Sequence, residues 1–137
     1  MCLALYLFTN SELHQSKWDA ARPKVYVEMV RAGEDRNVLK WPHEGLNVYY
    51  IGSYQGCGCG WSATGDWDEP SDRDAKTEDR LELGRILRVI DLKHSWFVVC
   101  WEGDQGESIQ PAKTISVDQI EDPQFEFEEL QQYRVAQ

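Results

Sequence analysis

Hydrophobic positions along this 137-residue chain fall in short blocks separated by polar, turn-prone stretches. The first block, Cys2-Leu3-Ala4-Leu5-Tyr6-Leu7-Phe8, is a near-continuous apolar run that ends at Thr9-Asn10-Ser11. A run of this length without alternation predicts a buried strand, central in its sheet. Residues 11–23 read as an irregular connection anchored by Trp18 and broken by Pro23. Lys24–Val30 carries β-branched and aromatic residues and predicts a second strand; Leu46–Ile51 predicts a third that delivers Gly52. Turns are expected at Gly33–Asn37 and Trp41–Gly45.

Residues 62–76 hold Gly65, Pro70, Ser71 and many acids, which predicts an exposed loop. A helix is expected over about 77–91. Thr77 is placed to cap it, Glu78 and Asp79 sit near its positive end, and Leu83, Ile86, Leu87 and Ile90 recur at spacings of three and four. Gly84 weakens that reading, and a strand over Arg85–Leu92 is the alternative. Ser95–Trp101 predicts a strand closed by the turn Glu102–Gly106. Thr114–Val117 suits a short strand or the entry to a helical turn, and 124–135 reads as mainly extended. The order β-β-β-α-β-β implies an α+β fold, one domain over residues 1–137, with its main helix on a largely antiparallel sheet.

Composition adds two limits. Apolar residues make up 42 % of the chain, enough to build a core and to set wholesale disorder aside. The net charge is −10, concentrated in two places. Residues 62–82 carry eight acids against three bases, and 102–129 nine acids against one. That sign disfavours nucleic acid and anionic membranes. Solvated loops explain the two acidic regions, and a surface for a basic protein partner is the functional alternative. The apolar opening is too short for a membrane helix and lacks the preceding basic residue of a secretory signal, so a cytoplasmic protein with reduced cysteines is expected.

The candidate chemistry lies in Gly56-Cys57-Gly58-Cys59-Gly60, directly after the third strand. Glycine on both sides of each cysteine permits a tight turn and clears space around each sulfur. Three readings follow. Cys57 and Cys59 supply two thiolates to zinc or copper, with Cys2 the best third ligand if the first and third strands are neighbours. Alternatively they are redox-active or nucleophilic thiols, although no Lys or Arg lies between Trp41 and Ser71 to favour the thiolate. In the third reading the turn is structural and small cysteines fill the space beneath it. Cys2 has a route of its own: methionine removal would expose it as an N-terminal nucleophile with its α-amine as base, which resembles the N-terminal nucleophile amidohydrolases over those two residues. Cys100, in Val98-Val99-Cys100, reads as core. His14, His43 and His94 are isolated, and no phosphate-binding loop, serine elbow or calcium loop is present. Trp61, Trp67, Trp96 and Trp101 suit either a ligand pocket or a core.

The Met-Cys start, the segment Tyr50-Ile51-Gly52-Ser53-Tyr54-Gln55-Gly56-Cys57-Gly58-Cys59-Gly60 and the later Cys100-Trp101-Glu102-Gly103-Asp104 together resemble a group of small bacterial proteins. The resemblance implies a bacterial origin and no activity. Acidic charge and abundant aromatics point to a cytosolic binding or interaction protein with a protein or small-molecule partner. The alternative is a thiol-dependent enzyme or metal-binding protein using Cys57, Cys59 and Cys2.

Overall fold

A computed structural model describes residues 3–30, 38, 41, 45–62 and 70–136. Cys2, the turn expected at Gly33–Asn37, Trp67 and His43 lie outside these residues. The described strands are β1 (Leu3–Thr9), β2 (Tyr26–Met29), β3 (Asn47–Gly52), β4 (Ser95–Trp101), β5 (Gln110–Ser116) and β6 (Gln131–Ala136). The helices are α1 (Pro70–Arg88) and the short α2 (Val117–Glu121), with 3-10 turns at Gly58–Trp61 and Leu92–His94. One six-stranded sheet runs β2-β3-β1-β4-β6-β5. Every neighbouring pair is antiparallel except β5 and β6, which are parallel. The fold is α+β, as the strand and helix pattern predicts.

β1 is central, between β3 and β4, and every one of its residues is buried. Its odd positions Leu3, Leu5 and Leu7 join the core beneath α1 with Leu83, Leu87, Phe97 and Tyr133. Its even positions Ala4, Tyr6 and Phe8 face a second cluster with Val48, Val98, Cys100 and Trp41. Alternation is absent from its sequence because both faces need apolar side chains.

The main helix begins seven residues before the expected position. Pro70 stands in its first turn, where a missing N–H costs nothing, and Asp72 complements the positive end. Thr77 is therefore not a cap: it sits inside the helix, and its Oγ1 donates to the carbonyl of Arg73 at 2.8 Å. The buried positions are Lys76, Asp79, Arg80, Leu83, Gly84 and Leu87. The inward face keeps its three-and-four spacing throughout, but its first half is charged, so only the second half shows as an apolar stripe. Residues 70–76, expected as loop, are the opening turns of this helix.

The tail combines both options left open for Thr114–Val117. β5 ends at Ser116, and Ser116 then caps α2 through a reciprocal pair with Gln119. Of the stretch 124–135, only 131 onward is strand. Phe125 and Phe127 pack edge-on, and Phe97 stacks on Tyr133 with centroids 5.0 Å apart.

Candidate functional site

β3 leaves the sheet at Gly52 and the chain folds back at once. The Ser53 N–H donates to the Cys57 carbonyl at 2.8 Å, and the Gly56 N–H returns to the Ser53 carbonyl at 3.1 Å. Ser53 Oγ is fully buried at the centre of this turn. It donates to the Cys57 carbonyl at 2.6 Å and accepts from the N–H of Gly60 at 3.1 Å and of Gln55 at 3.3 Å. Gly56 takes a φ of +82°, the left-handed region where glycine carries no steric cost.

Three further elements hold the turn from outside. From β2, Tyr26 lays its hydroxyl on the Gly56 carbonyl at 2.7 Å. Burial pushes the Tyr26 and Tyr50 phenols upward, so both remain proton donors at neutral pH. From the irregular connection, the Trp18 ring covers Gly56 and its Nε1–H donates to the Tyr54 carbonyl at 2.8 Å, which makes Trp18 the anchor expected of it. From α1, Asp79 accepts the Tyr54 N–H at 2.9 Å and Asp72 accepts the Tyr54 hydroxyl at 3.0 Å.

Within this frame the two loop thiols differ from the third described cysteine. Cys57 is extended (φ −151°), half-buried, and caps the 3-10 turn; its Sγ accepts the Cys59 N–H at 3.4 Å. Cys59 is also half-buried, whereas Cys100 is fully buried in the second core cluster. None of the three is in a disulfide. Gly58 lies flat against the backbone of Leu3, so β1 and the cysteine turn are in contact. No group of three or more His, Cys, Asp or Glu side chains among the described residues is arranged to hold a metal ion. Zinc or copper at Cys57 and Cys59 therefore has no third described ligand.

Asp79, Arg80, Ser53 and Tyr26 are the site residues that the motif does not reveal. Asp79 is only 3 % exposed, and burial pushes its carboxyl up to about 6 against the opposing pull of the Tyr54 N–H and the Arg80 charge. Arg80 is 2 % exposed and donates to four backbone carbonyls, those of Trp61, Ile120, Asp122 and Phe125. Its guanidinium also lies 4.5 Å from the centre of the Phe127 ring. The signal for both residues is their place on the inward spacing of α1.

Asp79 gives the protein a defined pH dependence. The folded carboxyl keeps its proton up to about pH 6, while an unfolded aspartate releases it near 3.8. The stabilisation linked to this proton is thus fully present below 3.8 and is lost as pH rises through 6. Relative to Asp79→Asn, the wild type should lose about 2–3 kcal/mol of stability between about pH 4 and pH 7. Urea titrations of both proteins across that range check this, and parallel pH profiles would refute it.

The expectation of a protein or small-molecule partner needs correction. It rested on acidic charge and abundant aromatics, and the described aromatics are largely spent on the interior: Trp41 and Trp61 are buried, with the Trp61 indole N–H on the Ile51 carbonyl at 2.9 Å. Trp96 packs with Arg134 and Trp101 bonds Glu129, while Trp67, the fourth member of the expected set, lies outside the described residues. Trp18 and Val89 are the large apolar side chains exposed among those residues, and Trp18 already serves the turn. The acidic regions are partly matched within the chain, Arg88 by Glu121 and Asp118 and Lys113 by Glu128. Total charge thus identifies no partner, and it carries no exclusion of nucleic acid or membranes either. No described helix is long and apolar enough to cross a membrane.

Compared with known protein families, curated proteins and solved structures, the chain matches none, and the resemblance to small bacterial proteins gains no support from them.

Proposed function

We propose that Gly56–Gly60 is an oxidant-responsive thiol turn in which Cys57 and Cys59 react as a pair. The observation that supports this is the contrast in burial: two half-buried thiols share one braced turn, with the N–H of one directed at the sulfur of the other, while Cys100 is sealed in the core. The reading treats residues 1–137 as one domain in a reducing compartment such as the cytoplasm, where thiols persist between oxidation events.

The chemistry balances with a peroxide as oxidant. The Cys57 thiolate attacks one peroxide oxygen, the O–O bond breaks, and the leaving oxygen takes a proton to become water. The Cys59 thiolate then attacks the sulfenic sulfur; an S–S bond forms, the S–O bond breaks, and a second water leaves. Both thiol protons are thereby consumed, and two electrons pass to the peroxide. The intervening Gly58 is the residue type best able to change its backbone angles as the ring closes. Closure removes the Cys59 N–H from the Cys57 sulfur and disturbs the bonds that Ser53 makes to this segment. Trp18 rests on Gly56, so its fluorescence should report the change.

Hydrogen peroxide followed by peptide mass mapping tests the reading. The segment containing Cys57 and Cys59 should lose two hydrogens, with Cys100 unmodified, and Cys59→Ser should stop at a sulfenic acid on Cys57 that a cyclic dione traps. Alkylation of Cys57 or Cys59 in the folded protein should run at least about tenfold faster than that of Cys100. Equal protection of all three until unfolding would leave Gly56–Gly60 a structural turn. Near-stoichiometric zinc or copper in protein purified without chelator would assign the pair to a metal instead.

A further inference from the structure

A disulfide between Cys57 and Cys59 works against the turn that carries them. Cys57 stands at the cap of the Gly58–Trp61 3-10 turn and folds its sulfur back on the Cys59 N–H at 3.4 Å, while Cys59 lies inside the turn. With three residues per turn, side chains two positions apart leave the axis about a third of a turn from each other. A disulfide needs its Cβ atoms within about 4 Å and turned together, so closure requires the backbone to move. That backbone is held at each residue. The Cys57 carbonyl accepts both the N–H and the hydroxyl of Ser53, at 2.8 and 2.6 Å. Gly58 is pressed on the Leu3 carbonyl of the central strand, and the Cys59 carbonyl accepts the Ser62 N–H at 3.3 Å. On either side, the Gly56 carbonyl accepts the Tyr26 hydroxyl and the Gly60 N–H donates to Ser53 Oγ. Building on the thiol reading above, we infer that this brace favours the dithiol, so that the oxidised pair is itself a thiol oxidant: small thiols reopen it, and peroxide and a small thiol together carry it through repeated turnover.

Proximity does not offset the brace. Cysteines one residue apart are near each other in the unfolded chain too, so folding adds only their orientation, and that orientation is set for the open form. By linkage, the contacts that closure breaks disfavour the disulfide in the folded chain relative to the unfolded one by the same factor. Two ordinary hydrogen bonds correspond to about tenfold. Peroxide still drives closure, because its O–O bond is broken for good. The return step is an exchange. A reductant thiolate attacks one sulfur of the bridge, the S–S bond breaks, and the released cysteine takes a proton. A second reductant thiolate attacks the reductant sulfur of the mixed disulfide, which frees the other cysteine and leaves the reductant as a disulfide. With the peroxide step, two thiols and one peroxide give one disulfide and two waters. Both sulfurs are half-buried, which suits a reductant of the size of glutathione.

The probe is glutathione. Folded wild type is equilibrated in mixtures of its oxidised and reduced forms, and bridged and open Cys57–Cys59 segments are counted by acid-quenched mass mapping. The same chain with Cys2→Ala and Cys100→Ala, unfolded in urea so that no other pairing competes, gives the reference. The constant for bridging should be at least about tenfold lower in the folded chain. Ser53→Ala removes the centre of the brace and should bring the two constants at least about threefold closer. Tyr26→Phe, which lacks only the hydroxyl on Gly56, is the milder second variant and should shift the constant the same way. Supplied with peroxide and reduced glutathione, wild type should form many equivalents of oxidised glutathione per chain above background, and Cys57→Ser none. A folded constant equal to or above the unfolded one, or a bridge that peroxide forms and glutathione leaves intact, overturns the oxidant role while the thiol reading stands. An unchanged constant in both variants overturns the brace as its cause. Thiols that peroxide never joins in the folded protein overturn the thiol reading and the oxidant role together.

Discussion

Arg80→Ala is expected to lower the unfolding free energy by about 4 kcal/mol, a large share of the roughly 5–15 kcal/mol that holds a domain of this size folded. The side chain joins α1, the end of the Gly58–Trp61 3-10 turn, α2 and the segment leading to Phe127. Its two terminal nitrogens satisfy four carbonyls at 2.7–3.2 Å. Burial lowers the guanidinium to about 10, countered by the nearby Glu126, Asp122 and Asp79 charges, so it remains a cation at neutral pH. Truncation leaves those carbonyls without their donor in a space water does not freely reach, and it removes the cation from the Phe127 ring. Arg80→Lys should recover little, because a single ammonium cannot span acceptors that a planar fork divides between two nitrogens. Urea denaturation of the two variants decides the point. A loss below about 1 kcal/mol for alanine would show that the carbonyls find other donors.

Gly58→Ala should cost about 3 kcal/mol, from steric overlap rather than backbone conformation. A methyl group there would overlap the carbonyl oxygen of Leu3, which belongs to the central strand and pairs with Trp101 of β4. Neither strand nor turn can retreat without breaking bonds to its neighbours. Gly103→Ala is the useful contrast. Its φ is +102° but nothing lies within 4 Å of the added carbon, so only backbone strain is felt, about 1 kcal/mol. Thermal unfolding of the pair should separate them clearly. Equal losses would mean that the contact with Leu3 relaxes. Because the overlap moves the turn itself, Gly58→Ala should also speed labelling of Cys57 and Cys59.

The strands were legible because the sheet is buried on both faces, which forces nearly unbroken apolar runs at Leu3–Thr9 and Ser95–Trp101. The start of α1 was hidden by the same burial working on different side chains. Lys76, Asp79 and Arg80 occupy inward positions, so an apolar stripe appears only from Leu83 onward. The parallel pairing of β5 with β6 was also invisible, since β5 is mostly exposed and carries Pro111 and Lys113. For the site, the glycine and cysteine motif located the turn. It said nothing of what grips it, because Trp18, Tyr26 and Asp79 reach it from far along the chain through contacts that no local pattern encodes.

The order of the strands in the sheet has a consequence for how the protein is made. β1 emerges from the ribosome before either strand that flanks it, with apolar side chains on both of its faces. One neighbour must wait for β3, and the other is β4; the hydroxyls of Thr9 and Ser95 that meet at 2.8 Å are separated by 86 positions in the chain. At ordinary synthesis speeds that interval lasts on the order of ten seconds. For that time the nascent chain displays its most aggregation-prone segment without the strands that will bury it. The sheet can therefore close around β1 only after β4 has been made.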